Sequence, residues 1–240
     1  MFYILAMILL ILCCVCVLIA MKRFVNKEVT NAIFVLSIFA CYGALVWNIY
    51  SKVGLNDWNF RNALPTANVS PFMFFTLPLG LILPKKARGY YRTLVSLLCV
   101  GMFFAPVLSC IYFASIGYRF HPSFLLDYYS HFALFLWGIY LVRSGQVSLR
   151  KKDALIGGSI IVGAALLMLI ANVIFDTAFF GLSLNGKHNI YNHVLVSNSL
   201  LSAVLYFIGL IAVLFVGFLF RKVWEKRRIG CADLGQLSPA

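Results

Sequence analysis

Seven apolar runs occupy the chain at about residues 2–21, 32–50, 64–83, 93–116, 125–142, 154–175 and 194–220. A helix needs about 20 apolar residues to cross the hydrocarbon core of a bilayer, and each run is close to that length. Inside lipid, backbone N–H and C=O groups are satisfied only within a helix or a closed barrel. The runs therefore predict an all-α, polytopic integral membrane protein with seven transmembrane helices. Composition agrees: the 240 residues are 62% hydrophobic and 11% charged, with a mean hydropathy of +0.94. An ordinary soluble domain is roughly a quarter charged, so soluble globular, disordered and disulfide-rich secreted classes are excluded.

The formal charge of +13 would suggest a nucleic-acid partner in a soluble protein, but its distribution says otherwise. Segments 22–31, 84–92, 143–153 and 221–240 carry 3, 4, 4 and 5 Lys or Arg, whereas 51–63, 117–124 and 176–193 carry 2, 1 and 1. Basic loops stay on the cytoplasmic side. The alternation places the N-terminus outside and the C-terminus inside, which an odd number of spans requires. The expected location is a cell membrane, multi-pass, with no nucleic-acid partner. Arg221, Lys222, Lys226, Arg227 and Arg228 are expected to touch anionic headgroups.

The first run has no basic residue before it, and Lys22 and Arg23 follow it. This favours an uncleaved helix over a signal peptide, although Ala20 keeps cleavage open. Five of the seven cysteines lie well inside spans, with no CxxC pair; disulfides and structural zinc are not expected. Cys110 stands toward the outer end of the fourth span. With short connections and no repeat, the organisation expected is one transmembrane domain over 1–220 and a basic cytoplasmic tail over 221–240. Pro65, Pro71, Pro78 and Pro84 punctuate the third span, which places it inside the bundle, where protein can satisfy an irregular backbone. Gly157, Gly158 and Gly163 predict close contact in the sixth span, and Trp47, Tyr50, Tyr90, Tyr91, Tyr128, Tyr129 and Trp224 suit interfacial belts.

Burying a polar group without a partner costs several kcal/mol, so polar residues within spans are the place to look for function. All four histidines, His121, His131, His188 and His193, fall on the outer side. Asn68 and Ser70 at the entry of the third span, and Asn172 and Asp176 at the outer end of the sixth, join them. The expectation is an outward-facing polar pocket centred on His131, with Asn68, Ser70, Asp176 and His193 as substrate-binding groups. Asp127 lies four residues before His131, on the same helix face, and can orient the imidazole and raise its basicity. The competing reading is that His131 bonds another helix and Asp127 caps its own.

The spacing of His131, Asp176, His188 and His193 matches no metal signature, and no metal or cofactor is expected. The acidic residues sit at or beyond span ends, which argues against a pump or proton-coupled carrier. The absence of a glycine-rich phosphate loop argues against nucleotide hydrolysis.

Leu64-Pro65 at a span start, Ser130-His131 within YYSHFALFLWGIYLV, and Asn172 through Phe179 before a last long span together resemble the bacterial YwaF-type integral membrane proteins. These are similar to a eukaryotic transmembrane acyltransferase that moves fatty acyl chains between phospholipids. The resemblance covers about residues 30–220 and implies roles for His131 and Asn172. The family's His and Cys after Leu-Pro are replaced by Ala67 and Val69, and its Gly-Thr-Asn-Tyr by Asp176-Thr177-Ala178-Phe179. A more distantly similar group of membrane lipid hydrolases pairs a Thr with a His, which the resemblance carries to Thr66 and His131. The catalytic candidates are thus His131, Thr66, Asp127 and Asn172, in a lipid acyltransferase or hydrolase. Two alternatives remain open: a non-catalytic protein that binds lipid or a membrane-protein partner, and a facilitator or channel.

Overall fold

The structure, a computed structural model, describes residues 26–53, 64, 69–115, 123–147, 150–175, 182 and 199–236. Among them there are seven helices and no strand: α1 (Lys27–Val53), α2 (Val69–Thr76), α3 (Leu79–Ile82), α4 (Lys85–Ser115), α5 (Ser123–Arg143), α6 (Lys151–Phe175) and α7 (Ser199–Gln236). Four stretches within α1, α5, α6 and α7 are long and apolar enough to cross a membrane: Lys27–Lys52, Leu125–Arg143, Lys151–Phe175 and Ala203–Val223. The chain is accordingly a membrane-embedded protein. The run at 2–21 lies outside the described residues.

Local chemistry sets the helix ends. Asn26 caps α1, its side-chain oxygen accepting from the backbone N–H groups of Glu28 and Val29 at 3.0 and 3.2 Å, which satisfies donors the first turn leaves open. At the end of α5, Gly145 takes a left-handed φ of 69°. Its N–H donates to the Val142 carbonyl, and that of Gln146 to the Leu141 carbonyl. This six-to-one and five-to-two pattern closes a helix with glycine just past its end, and it turns Gln146 back toward the bundle.

The expected third span is not one helix. Pro78 interrupts it, leaving the eight-residue α2 and the four-residue α3. Proline cannot donate to the preceding turn, and Gly80 N–H bonds the Leu77 carbonyl at 2.9 Å instead. The broken segment is nevertheless interior, with Met73, Phe74 and Leu77 fully buried. Thr76 at its break shares a 2.9 Å hydrogen bond with the Tyr91 hydroxyl.

Helices α4 and α5 form the centre. Of the apolar stretch of α5, 72% is buried, against 28%, 22% and 17% for those of α1, α6 and α7, whose outer faces carry the exposed Leu, Ile, Val and Phe that lipid would cover. Glycines let the neighbours close on α4. A Cβ at Gly138 would overlap Cys99, one at Gly217 would overlap the Leu97 backbone, and one at Gly157 would come within 3.1 Å of the Tyr90 carbonyl. Gly158 and Gly163, expected to mark similar contact, make no such approach: Gly158 would meet only Leu214 at ordinary distance, and Gly163 faces open space. The interfacial-belt reading fits Trp47 and Tyr50, exposed with rings 5.7 Å apart. It does not fit Tyr91 and Tyr128, which are buried. Helix α7 runs unbroken through Gln236, so the segment expected as a tail from residue 221 is helical that far.

Candidate functional site

Of the residues singled out in the sequence, His131, Asp127, Ser70 and Asn172 are described; Thr66, Asn68, Asp176 and His193 lie outside the described residues, as do His121 and His188. His131 is buried inside α5. Its Nδ1 lies 2.9 Å from the Asp127 carbonyl oxygen and 3.5 Å from the Asp127 carboxylate. A carbonyl oxygen can only accept, so Nδ1 carries the hydrogen in this contact and the lone pair resides on Nε2. The Phe74 ring stands edge-on to the imidazole, 4.9 Å between centroids, and fixes its plane from α2. Ser130, beside it, is turned inward to the Leu126 carbonyl at 2.9 Å.

Ser70 lies one helical turn before Phe74 on α2, hence on the same face, and its hydroxyl approaches Met102 Sδ at 3.6 Å. Tyr42 of α1 packs on this layer, its ring 4.5 Å from that of Phe74. The structure thus brings together Asp127 and His131 from α5, Phe74 from α2 and Tyr42 from α1, while the Ser70 hydroxyl meets Met102 of α4. Asn172, in contrast, stands on α6, which packs against α4 and α7. Its side-chain amide donates to the Leu182 carbonyl.

A second polar cluster, at the opposite end of the bundle, was missed in the sequence. Arg92 is buried, and its guanidinium donates through Nε to the Gly80 carbonyl (3.0 Å), through Nη1 to Gln146 Oε1 (2.8 Å) and through Nη2 to Glu28 Oε2 (2.9 Å). The same Gln146 oxygen accepts from Asn31 Nδ2 at 2.6 Å, and Asn31 Oδ1 accepts from Trp137 Nε1 at 3.0 Å. Lys27 Nζ donates to the Ser144 carbonyl at 2.7 Å, and Arg88 to the Leu81 carbonyl at 2.9 Å. The two arginines supply donors to carbonyls that α3 leaves open at its C-terminal end. In the sequence these residues lie at span edges, where charge reads as orientation. The depth of Arg92 shows only in the structure, where it lies seven residues into a helix that starts at Lys85, about two turns inside it.

Among the described residues no group of three or more His, Cys, Asp or Glu is placed to hold a metal ion. Comparison of the chain with family models, with curated proteins and with solved structures gives no match in any of the three.

Proposed function

We propose that this is a seven-span membrane protein, N-terminus outside, whose outward-facing site handles the acyl ester of a membrane lipid, with His131 as general base. The observation that carries the reading is the tie of His131 Nδ1 to Asp127 inside the bundle, which leaves Nε2 as the basic nitrogen. A base oriented by a third group is the half of a hydrolytic or acyl-transfer arrangement that chemistry requires. The nucleophile is a hydroxyl, with Thr66 and Ser70 as the candidates. Nε2 takes the hydroxyl proton as the oxygen attacks the ester carbonyl. When the ester bond breaks, the departing lysolipid oxygen takes that proton back. Water or a second lysolipid then completes hydrolysis or transfer by the same steps in reverse order. The resemblance to the YwaF-type proteins leads to the same chemistry, without their thiol. Asn68, Asp176 and His193 belong to the expected rim of the site, Asn172 on α6 standing apart from it, and the basic residues of α7 after the buried Arg221 belong to anionic headgroups of the inner leaflet.

A second reading, a non-catalytic protein that binds lipid or a membrane partner, is favoured by one observation: the carbonyl bond and the Phe74 edge also suffice to seat a buried histidine. Lipid mass spectrometry on cells producing wild type or His131→Ala separates the two. The acyl-transfer reading expects altered acyl-chain profiles with the wild type only. Indistinguishable profiles, with equal protein in the membrane, would sink it and leave the binding reading.

A further inference from the structure

The segment broken at Pro78 is held on both sides of the break by one face of α4. Tyr91 meets it before the proline, through the 2.9 Å bond to Thr76. Arg88 and Arg92 meet it beyond the proline, at the Leu81 and Gly80 carbonyls. The Tyr91 bond has a fixed direction. The Thr76 hydroxyl lies 2.9 Å from the Phe72 carbonyl oxygen and 3.2 Å from that of Met73; a carbonyl can only accept, so the single hydroxyl hydrogen of Thr76 is committed there. The buried Tyr91 hydroxyl therefore donates to Thr76 Oγ1.

This chain of two hydroxyls steadies the turn that carries Phe74. Pro78 has no N–H to give the Phe74 carbonyl four residues before it. The last turn of α2 thus lacks one of its own bonds at the residue whose ring stands edge-on to His131. The same imidazole reaches the Asp127 carbonyl through Nδ1, and a displacement of the ring it leans on would loosen that bond. We infer that Tyr91 is a positioning residue for His131: its hydroxyl, through Thr76, holds Phe74 in the place that keeps Nδ1 on Asp127 and leaves Nε2 as the basic nitrogen. This rests on the reading of His131 as a general base and adds to Asp127 a second device that orients it.

The test reads the imidazole itself, by nuclear magnetic resonance of the full-length protein in detergent with isotope-labelled histidine. The His131 signal is identified by its loss in His131→Gln, and the exchange of its Nδ1 hydrogen with solvent is measured. Tyr91→Phe, which removes one hydroxyl of the chain, and Thr76→Val, which removes the other, are each expected to speed that exchange by about tenfold. The double variant should go no further than either alone, and Thr76→Ser should match wild type. Gly101→Ala, which crowds Val213 of α7, is expected to lower the thermal midpoint while leaving the His131 exchange unmoved. An unmoved rate in Tyr91→Phe overturns the positioning role, as does an additive rise in the double variant or an equal rise in Gly101→Ala. The His131→Ala acyl profile is read separately. A changed profile without the Tyr91 effect removes only the positioning role, and an unchanged profile with the Tyr91 effect present removes only the acyl chemistry.

Discussion

Arg92 shows how much a single buried side chain can organise. Its three donor nitrogens reach α3, the turn after α5 and α1, so removing it strips the buried Gly80 carbonyl of its side-chain donor, leaves the Gln146 oxygen with Asn31 alone and breaks the ion pair to Glu28. Each buried polar group so stranded costs about 1–3 kcal/mol. Arg92→Ala is expected to lower stability by several kcal/mol, read as the thermal midpoint of the detergent-solubilised protein. Arg92→Lys should recover little, because an ammonium cannot reproduce the planar fork. The Glu28 carboxylate is 60% exposed at its end of the ion pair, so Glu28→Gln should cost less than about 1 kcal/mol. A comparable loss in the two variants would contradict the network as described. The sequence could point to His131 and Asp127, because four-residue spacing on a helix is a local fact. It could not point to this network, whose members Asn31 and Trp137 are 106 residues apart and meet only through the packing of α1 against α5.

At the scale of elements, α4 is the surface on which α5, α6 and α7 close, and glycine decides how near they come. Gly217 admits the Leu97 backbone where no side chain fits. Gly217→Leu should therefore wedge α7 from α4 and cost more than the roughly 1–3 kcal/mol of ordinary overpacking. Gly163→Leu, which faces open space, should stay within about 0.5 kcal/mol of wild type; thermal midpoints of both variants check the contrast. Apolar runs and prolines are readable residue by residue, which is why the spans at 32–50, 125–142 and 154–175 coincide with α1, α5 and α6. Which glycine is a contact and which is idle depends on the neighbouring helix. For that reason Gly157 behaves as the sequence suggested and Gly163 does not. The third span was legible as interior from its prolines, but the close approach of Trp137, whose ring lies 2.8 Å from where a Gly80 Cβ would stand, depends on the neighbouring helix.

For the whole molecule, antiparallel packing fixes which residues share an end, and the basic loops propose which end faces the cytoplasm. Single cysteines introduced at Lys52 and Lys151, both exposed, in a background with the native cysteines replaced, test that orientation in intact cells. A membrane-impermeant maleimide should label Lys52→Cys and spare Lys151→Cys; the reverse pattern would invert the topology. The uneven burial of the helices also bears on how the protein is made. Helix α5, the most enclosed, carries Asp127, Ser130 and His131 on surfaces that lipid would not welcome, and its partners are synthesised both before and after it. While the chain is being inserted, α1 waits for Trp137 to reach Asn31, and α4 waits for Gly217. The interior of this protein is thus assembled late, from helices already in the bilayer, and a chain released before α7 would present the unclosed flank of α4 to the quality-control machinery of the membrane.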